Sequence, residues 1–226
     1  MSRVTGHESP VTPSGLWTVI PVRGIAEGKS RLAGVLDPPA RARLNRQLLA
    51  STLDAIGKWR GDLSRCVVVS SCRETLATAA RLGAAVLDEG AEARGLNAAA
   101  AQGTTYAGGH GARRALVLAC DLPYLNADAL AAMIDAAESE RHMVIAPDRH
   151  GTGTNALLVS VRESFDFYFG EGSCTKHLAL AGERGWPVAL CRRQELEFDL
   201  DTPEDLARWT ETPAEERSFV SNSNRS

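Results

Sequence analysis

The sequence is short of the features that would tie it to a structural metal, a membrane or a nucleic acid. It contains no CxxC pair and no HExxH, and its five cysteines (Cys66, Cys72, Cys120, Cys174 and Cys191) are scattered and odd in number. Neither a disulfide framework nor a zinc site follows from that spacing. No apolar run approaches the roughly 18–20 residues that cross a bilayer, and the opening stretch MSRVTGHESPVTPSG lacks the apolar centre of a secretory signal. The expectation is a cytoplasmic protein. Charge of one sign is also missing. Twenty-five Lys+Arg against 28 Asp+Glu give a formal net charge of -3 and a pI near 6.0, whereas a nucleic-acid-binding domain is usually strongly basic. That balance leaves room for a small anionic ligand.

What is present is 226 residues, 44% of them hydrophobic, enough for one domain with a substantial core. Residues 1–14 and 212–226 are rich in Ser, Thr, Pro, Glu and Asn and lack hydrophobic periodicity, so mobile tails are expected around a domain at 15–211. Inside it, short apolar runs alternate with amphipathic stretches, the pattern of βα units on a largely parallel sheet. The runs are Leu16 to Val22, Cys66 to Val69, Ala84 to Leu87, Ala115 to Ala119, Met143 to Ala146, Ala156 to Val159 and Pro187 to Leu190. Several are apolar without alternation, as strands covered on both faces are. Helices are expected from Asp37-Pro38-Pro39 to about Trp59, from an Asn126 cap to about Glu138, and from Thr202-Pro203 to about Trp209. Ligands of such folds bind beyond the carboxyl ends of the strands, so the chemistry is sought just after the runs.

The first run leads into Val22-Arg23-Gly24-Ile25-Ala26-Glu27-Gly28-Lys29-Ser30-Arg31. Gly24 and Gly28 permit close backbone approach, and Arg23, Lys29 and Arg31 suit a polyphosphate. A Walker A motif would need glycine at position 23. The alternative is a solvated basic loop. The fourth run ends in Cys120-Asp121-Leu122-Pro123, where Asp121 either holds Mg²⁺ at a strand tip or caps the next turn. In Glu197-Phe198-Asp199-Leu200-Asp201, an extended backbone puts both aspartates on one face and Phe198 and Leu200 on the other. Two carboxylates so close need a cation or donor between them. The segment Asp148-Arg149-His150-Gly151-Thr152-Gly153-Thr154-Asn155 offers amide and hydroxyl donors. Ser173 opens a helix expected to reach about Glu183, where free amides favour a phosphate. The aromatic cluster Phe165 to Phe169 reads as core or subunit interface, and His150 and His177 as loop and cap residues. Gly95-Leu96-Asn97 opens a further helical run whose amide side chain has the chemistry to read a nucleotide edge.

The segments IPVRGIAEGKSRL, RGLNAA, CDLPYL, APDRHGTGTNALL, FGEGSCTKH and FDLDTPEDL, in this order, resemble the phospholactate guanylyltransferase (CofC) family of coenzyme F-420 biosynthesis, over roughly residues 16 to 210. The resemblance implies a Rossmann-like, three-layer αβα nucleotidyltransferase of the glycosyltransferase-A class. It implies transfer of GMP from GTP to the phosphate of 2-phospho-L-lactate, phosphoenolpyruvate or 3-phospho-D-glycerate, with release of pyrophosphate. By motif, Asp121, Asp199 and Asp201 would hold Mg²⁺, Thr154, Gly170 and Ser173 the acceptor, Arg23 and Lys29 the phosphates in catalytic roles, and Gly24 and Asn97 the nucleotide. Some members have lysine at the position of Arg23. Cys120, His150 and Cys174 flank the motifs as candidates for acceptor choice. A homodimer and a downstream transferase receiving the product are the partners expected, with no nucleic acid and no membrane. The residues leave two other readings open: a P-loop-like kinase using Gly28-Lys29-Ser30, and an inactive nucleotide-binding regulator. On the guanylyltransferase reading, a cationic loop and a carboxylate set face each other across the substrates.

Overall fold

The computed structural model describes residues 15–25, 28–90 and 95–211. The two expected tails, and loop residues Ala26 and Glu27, lie outside the described residues. Every apolar run becomes a strand: β1 (Leu16–Pro21), β2 (Cys66–Ser70), β3 (Ala85–Asp88), β4 (Arg114–Leu118), β5 (Met143–Pro147), β6 (Thr154–Ser160) and β7 (Val188–Leu190). They form one sheet in the order β3-β2-β1-β4-β6-β5-β7. Only β6 runs against its neighbours, antiparallel to β4 and β5, while the other pairs are parallel. The reversal follows from chain length, because the few residues between β5 and β6 make a hairpin and cannot hold a crossover helix.

The helices are α1 (Pro38–Arg60), α2 (Arg73–Arg81), α3 (Leu96–Gly109), α4 (Ala127–Asp135), α5 (Ser173–Glu183), the short α6 (Gln194–Glu197) and α7 (Pro203–Glu211). Two core clusters flank the sheet, which is why its inner strands carry apolar side chains on both faces. On one side Ile20, Val68, Leu116 and Leu158 meet Leu49, Leu53 and Ile56 of α1 and Leu130 and Met133 of α4. On the other, Val19, Val67, Val117 and Leu157 meet Ala99, Ala100 and Ala107 of α3 and Cys174 and Ala181 of α5. The α3 face is built from small residues so that the helix lies close to the strands. At its centre, a Cβ on Gly103 would sit 2.3 Å from Val19 Cγ1 and 2.9 Å from Val69 Cγ2.

Capping matches the sequence chemistry. The Asp37 side chain accepts from the Ala40 amide at 2.7 Å with proline in the first turn of α1, and Asn126 accepts from the Ala129 amide at 2.9 Å. The α4 helix stops at Asp135, three residues short of expectation, while α7 extends to Glu211. Among the described residues no helix is long and apolar enough to cross a membrane.

Candidate active site

A third, smaller core assembles the site. Leu32 from the loop after β1, Leu44 and Leu48 from α1, and Phe198 and Leu200 from the segment before α7 pack together and are all buried. Burial of such side chains stabilises by about 1.5–3 kcal/mol each. The pairing has a geometric consequence. Phe198 and Leu200 turn inward, so Asp199 and Asp201 turn out, beside the loop that Leu32 anchors. The Leu200 amide also donates to the Asp121 carbonyl at 3.0 Å, which joins the two acidic segments through their backbones.

Lys29 lies where these segments meet. Its Nζ is 2.7 Å from Asp121 Oδ2 and 3.8 Å from Asp201 Oδ1, and its side chain is only 7% exposed. Arg31 reaches the other oxygen of Asp201 at 2.8 Å. Burial alone would lower the Lys29 pKa, but the Asp121 carboxylate, its hydrogen bond and Asp201 outweigh that, and the net shift is upward. Lys29 is also the one non-glycine among the described residues with positive φ, at 61°. That left-handed conformation costs about 1–2 kcal/mol outside glycine. The loop around it is tied down by Asn45, whose Nδ2 donates to the Ile25 carbonyl at 2.7 Å and would lie 2.9 Å from a Cβ on Gly28.

Asp199 shows the opposite electrostatics. Its pKa is raised, first by burial and then by the Asp121 charge, with Arg149 pulling the other way. Arg149 belongs to a lock that the sequence reading did not single out. It bonds Asp205 Oδ1 at 2.5 Å and stacks over Phe198 at 5.1 Å from the ring centroid. Asp205 in turn accepts from the amides of Asp201 (3.0 Å) and Thr202 (2.8 Å), and the Thr202 hydroxyl accepts from the Asp205 amide, a reciprocal cap on α7. Burial would raise the Asp205 pKa, yet these amide bonds, the Thr202 hydroxyl and Arg149 lower it.

The expected opposition of a cationic loop and a carboxylate set across a gap is therefore corrected: Lys29 and Arg31 touch the carboxylates directly. Among the described residues no three acidic, histidine or cysteine side chains converge as a ready-made metal cage. The lysine ammonium stands between Asp121 and Asp201, while Asp199 remains the carboxylate without an ion-pair partner among the described residues.

Two adjoining clefts open from this point. One, of about 390 Å³, is lined by Arg23, Gly28, Lys29, Ser30, Arg31, Asn45, Asp121 and Asp201 among others. The next, of about 420 Å³, is lined by Val22, Arg23, Gly24, Ser71, Glu89, Gly95, Leu96 and Ala99. Arg23 is exposed at the shared border. Asn97 lines neither. Its amide pairs with the Phe169 backbone, donating to the carbonyl at 3.2 Å and accepting from the amide at 2.6 Å, so it ties α3 to the loop before α5. The second cleft presents the side chains of Arg23, Ser71 and Glu89, and Glu89 accepts from the Gly95 amide.

The acceptor candidates gather around the start of α5. The register between β5 and β6 slips at Ala146/Pro147, so that Thr154 pairs with Pro147 and Ala156 with Ala146. This bulge turns Thr154 toward α5 and sends Asn155 the other way. Thr154 Oγ1 is 3.1 Å from His177 Nδ1, and Asn155 Nδ2 donates to the carbonyls of Leu196 (2.9 Å) and Glu197 (3.3 Å), holding α6 ahead of Asp199. Ser173 is fully buried and its hydroxyl has no hydrogen-bond partner among the described residues. Gly170, at φ 120°, accepts from the Ser173 amide, and Thr152 accepts from the Cys174 amide. The helix start thus offers fewer free amides than expected. The Gly151 to Gly153 turn is likewise committed, with Asp148 accepting from the Thr152 amide at 2.8 Å and a Cβ on Gly153 coming within 2.7 Å of Asp148 Oδ2. The aromatic cluster is packing: Phe165, Tyr168 and Phe169 surround the buried His177 ring. Of the residues flanking the motifs, Cys120 lines the first cleft, Cys174 is buried and His150 is exposed.

Comparison with known proteins gives this geometry its context. Residues 16–210 match the family model described as "Guanylyl transferase CofC like". A phosphoenolpyruvate guanylyltransferase of Rubrobacter xylanophilus is 42% identical over 194 residues, 85% of this chain and 92% of that protein. A 3-phospho-D-glycerate guanylyltransferase of Phenylobacterium zucineum is 34% identical over 202 residues, covering 88% and 92%. Among solved structures, a putative nucleotide-diphospho-sugar transferase from Desulfovibrio desulfuricans superposes with TM-score 0.72 at 14% identity, covering 91% of both chains. A Methanothermobacter nucleotidyl transferase gives 0.60 at 16% identity, covering 85% of this chain and 94% of that one. With the family model spanning nearly all the described residues and close relatives matched over most of their length, the chain belongs to the CofC-like guanylyltransferase family.

Proposed function

We propose that this enzyme joins the phosphate of phosphoenolpyruvate to the α-phosphorus of GTP. The new P–O bond forms as the bond to the β-bridging oxygen breaks, and pyrophosphate leaves. The product is a guanosine diphospho-acid, a substrate for a downstream transferase of coenzyme F-420 biosynthesis. The observation that carries the reading is the placement of Lys29, held between Asp121 and Asp201 beside two adjoining clefts. The choice of acceptor rests on the substrate in the names of several relatives. An acceptor phosphate is already ionised near neutral pH, so the site must supply charge neutralisation and alignment and needs no general base. The triphosphate fits the first cleft, with Arg23 and Lys29 facing it. The nucleoside fits the second, where Gly24 allows close approach and Glu89 keeps lone pairs for the N–H groups of a guanine edge.

The donor set fits a hard dication. Asp199 and Asp121 repel each other, and Mg²⁺ commonly takes one or two carboxylates and fills its shell with water and phosphate oxygens. Asp121 and Asp199 would hold it, with Asp201 kept alongside by Arg31 and Lys29. When bound, the ion supplies neutralisation of the triphosphate. Thr154, Gly170 and Ser173 take the acceptor. A P-loop kinase is disfavoured because Lys29 is followed by a 3-10 turn of five residues, Ser30–Gly34, and no α-helix opens there to cradle phosphates. Incubation with GTP, phosphoenolpyruvate and Mg²⁺ tests the reading. Pyrophosphate release with a guanylylated acceptor by mass is expected, and GDP formation without pyrophosphate refutes it.

A further inference from the structure

The buried histidine of α5 has a place in the acceptor site. We propose that His177 is a positioning residue, fixed in the Nδ1–H form, that donates to Thr154 Oγ1 and so turns the Thr154 proton toward the anionic group of the acceptor. This rests on the reading of Thr154 and Ser173 as acceptor-binding residues.

The proton assignment follows from the partners. The Tyr168 backbone amide lies 3.1 Å from His177 Nε2. An amide can only donate, so Nε2 is the acceptor and, in a neutral ring, Nδ1 carries the hydrogen. Burial keeps the ring neutral, with its pKa pushed down to about 4. The Nδ1–H then donates across 3.1 Å to Thr154 Oγ1, and the threonine's one proton is left to point elsewhere. In the other tautomer Thr154 would donate to the ring and present only lone pairs to an anion. Ser173 stands one turn before His177 on the same face of α5. Its hydroxyl is buried and unpartnered among the described residues, one turn from the histidine that Thr154 meets by way of the β6 bulge. Two hydroxyl donors are thus available, one free by lack of a partner and one freed by the histidine. The rings of Phe165, Tyr168 and Phe169 around His177 keep water from competing for its nitrogens.

The test is steady-state kinetics with GTP, phosphoenolpyruvate and Mg²⁺ on His177→Asn, whose amide can place a donor at the Nδ1 position, and His177→Gln, whose amide reaches the Nε2 position and leaves no donor at Nδ1. The proposal expects His177→Gln to raise the phosphoenolpyruvate KM by on the order of 10- to 100-fold, the loss of one hydrogen bond to a charged group. His177→Asn should recover most of that, and neither should change the GTP KM. Thr154→Val should raise the same KM, and adding His177→Gln to it should cost nothing further. Equal KM changes in the two histidine variants, or additive effects with Thr154→Val, overturn the positioning role alone. An unchanged acceptor KM in Thr154→Val overturns the acceptor site itself and the proposal with it. Should the histidine variants fold poorly, ¹⁵N NMR of the wild-type ring decides independently, since a protonated Nε2 contradicts the mechanism.

Discussion

Replacing Ser173 with alanine should move stability and substrate binding in opposite directions. The Ser173 hydroxyl is fully buried and unpartnered, and a buried polar group left unpaired costs about 1–3 kcal/mol. No cap is lost with it, because the N-cap of α5 is Gly172. Alanine therefore removes a cost from the free protein. For a domain near 200 residues each kcal/mol is worth about 2–4 °C in Tm, so the free variant should melt at least about 2 °C higher. On the proposed acceptor site, the same hydroxyl would donate to an anion once acceptor binds, an interaction of about 1.5–3 kcal/mol. Its loss should raise the phosphoenolpyruvate KM by roughly 10- to 100-fold and leave the GTP KM where it was. Differential scanning fluorimetry without substrate and initial rates of pyrophosphate release measure the two effects. A variant that melts lower and keeps its acceptor KM would show that the hydroxyl serves the fold, and the argument from its missing partner would fail.

Asp199→Asn should raise the Tm of the metal-free protein at neutral pH and cut activity by on the order of 10²-fold or more. The sign follows from its raised pKa: the native state holds this proton more tightly than the unfolded chain, so the ionised carboxylate costs stability above its folded pKa. The Tm difference should vanish as the pH falls below the ordinary aspartate value, and a difference that persists in acid would contradict it. Lys29 has a raised pKa, so its ion pairs stabilise the fold below the ordinary lysine range and are lost as pH rises through the folded value. Wild type should therefore show an alkaline fall in denaturant stability that Lys29→Gln lacks, and identical alkaline limbs would remove the pair from the account. Gly103→Ala gains helix propensity of up to about 1 kcal/mol, but its Cβ would meet Val19 Cγ1 at 2.3 Å. Overpacking of about 1–3 kcal/mol should win. A lower Tm partly restored by Val19→Ala is expected, and an unchanged Tm would mean that α3 can lift off the sheet.

Much of the fold was legible because its strands are buried on both faces, which leaves uninterrupted apolar runs in the sequence. The α2 helix escaped because the residues it buries are Thr75, Thr78 and Ala79, small side chains that make no apolar stripe. The reversal of β6 was written in the short span between its run and that of β5, a signal of chain length that hydropathy does not carry. In the site, the alternation Phe198-Asp199-Leu200-Asp201 was legible because packing follows a period of two. What Asn97 bonds was not. An amide suits a guanine edge and a peptide backbone equally, and only the fold brings Phe169 to it. The same holds for Thr154, whose direction depends on a bulge that the sequence marks only with neighbouring glycines.

The electrostatics of the free enzyme explain why Lys29 tolerates a strained backbone. A left-handed lysine costs about 1–2 kcal/mol and persists only if its surroundings fix it from both sides. Here Asn45 grips the loop before it, Leu32 is buried after it, and Asp121 and Asp201 hold its ammonium. The aspartates are fixed in turn by the Leu200 bond to the Asp121 carbonyl and by the Asp205 cap that Arg149 secures. Each charge is thus oriented before substrate arrives, and little reorganisation remains for the moment of reaction. Fixed charges are worth most in a reaction with no proton to abstract from its nucleophile, because stabilising charge at the transferring phosphorus is then the main work left to the protein. A near-neutral chain does this by setting opposite charges in contact at one end of the sheet, where a polyanion and its counter-ion can redistribute partners without changing the framework that holds them.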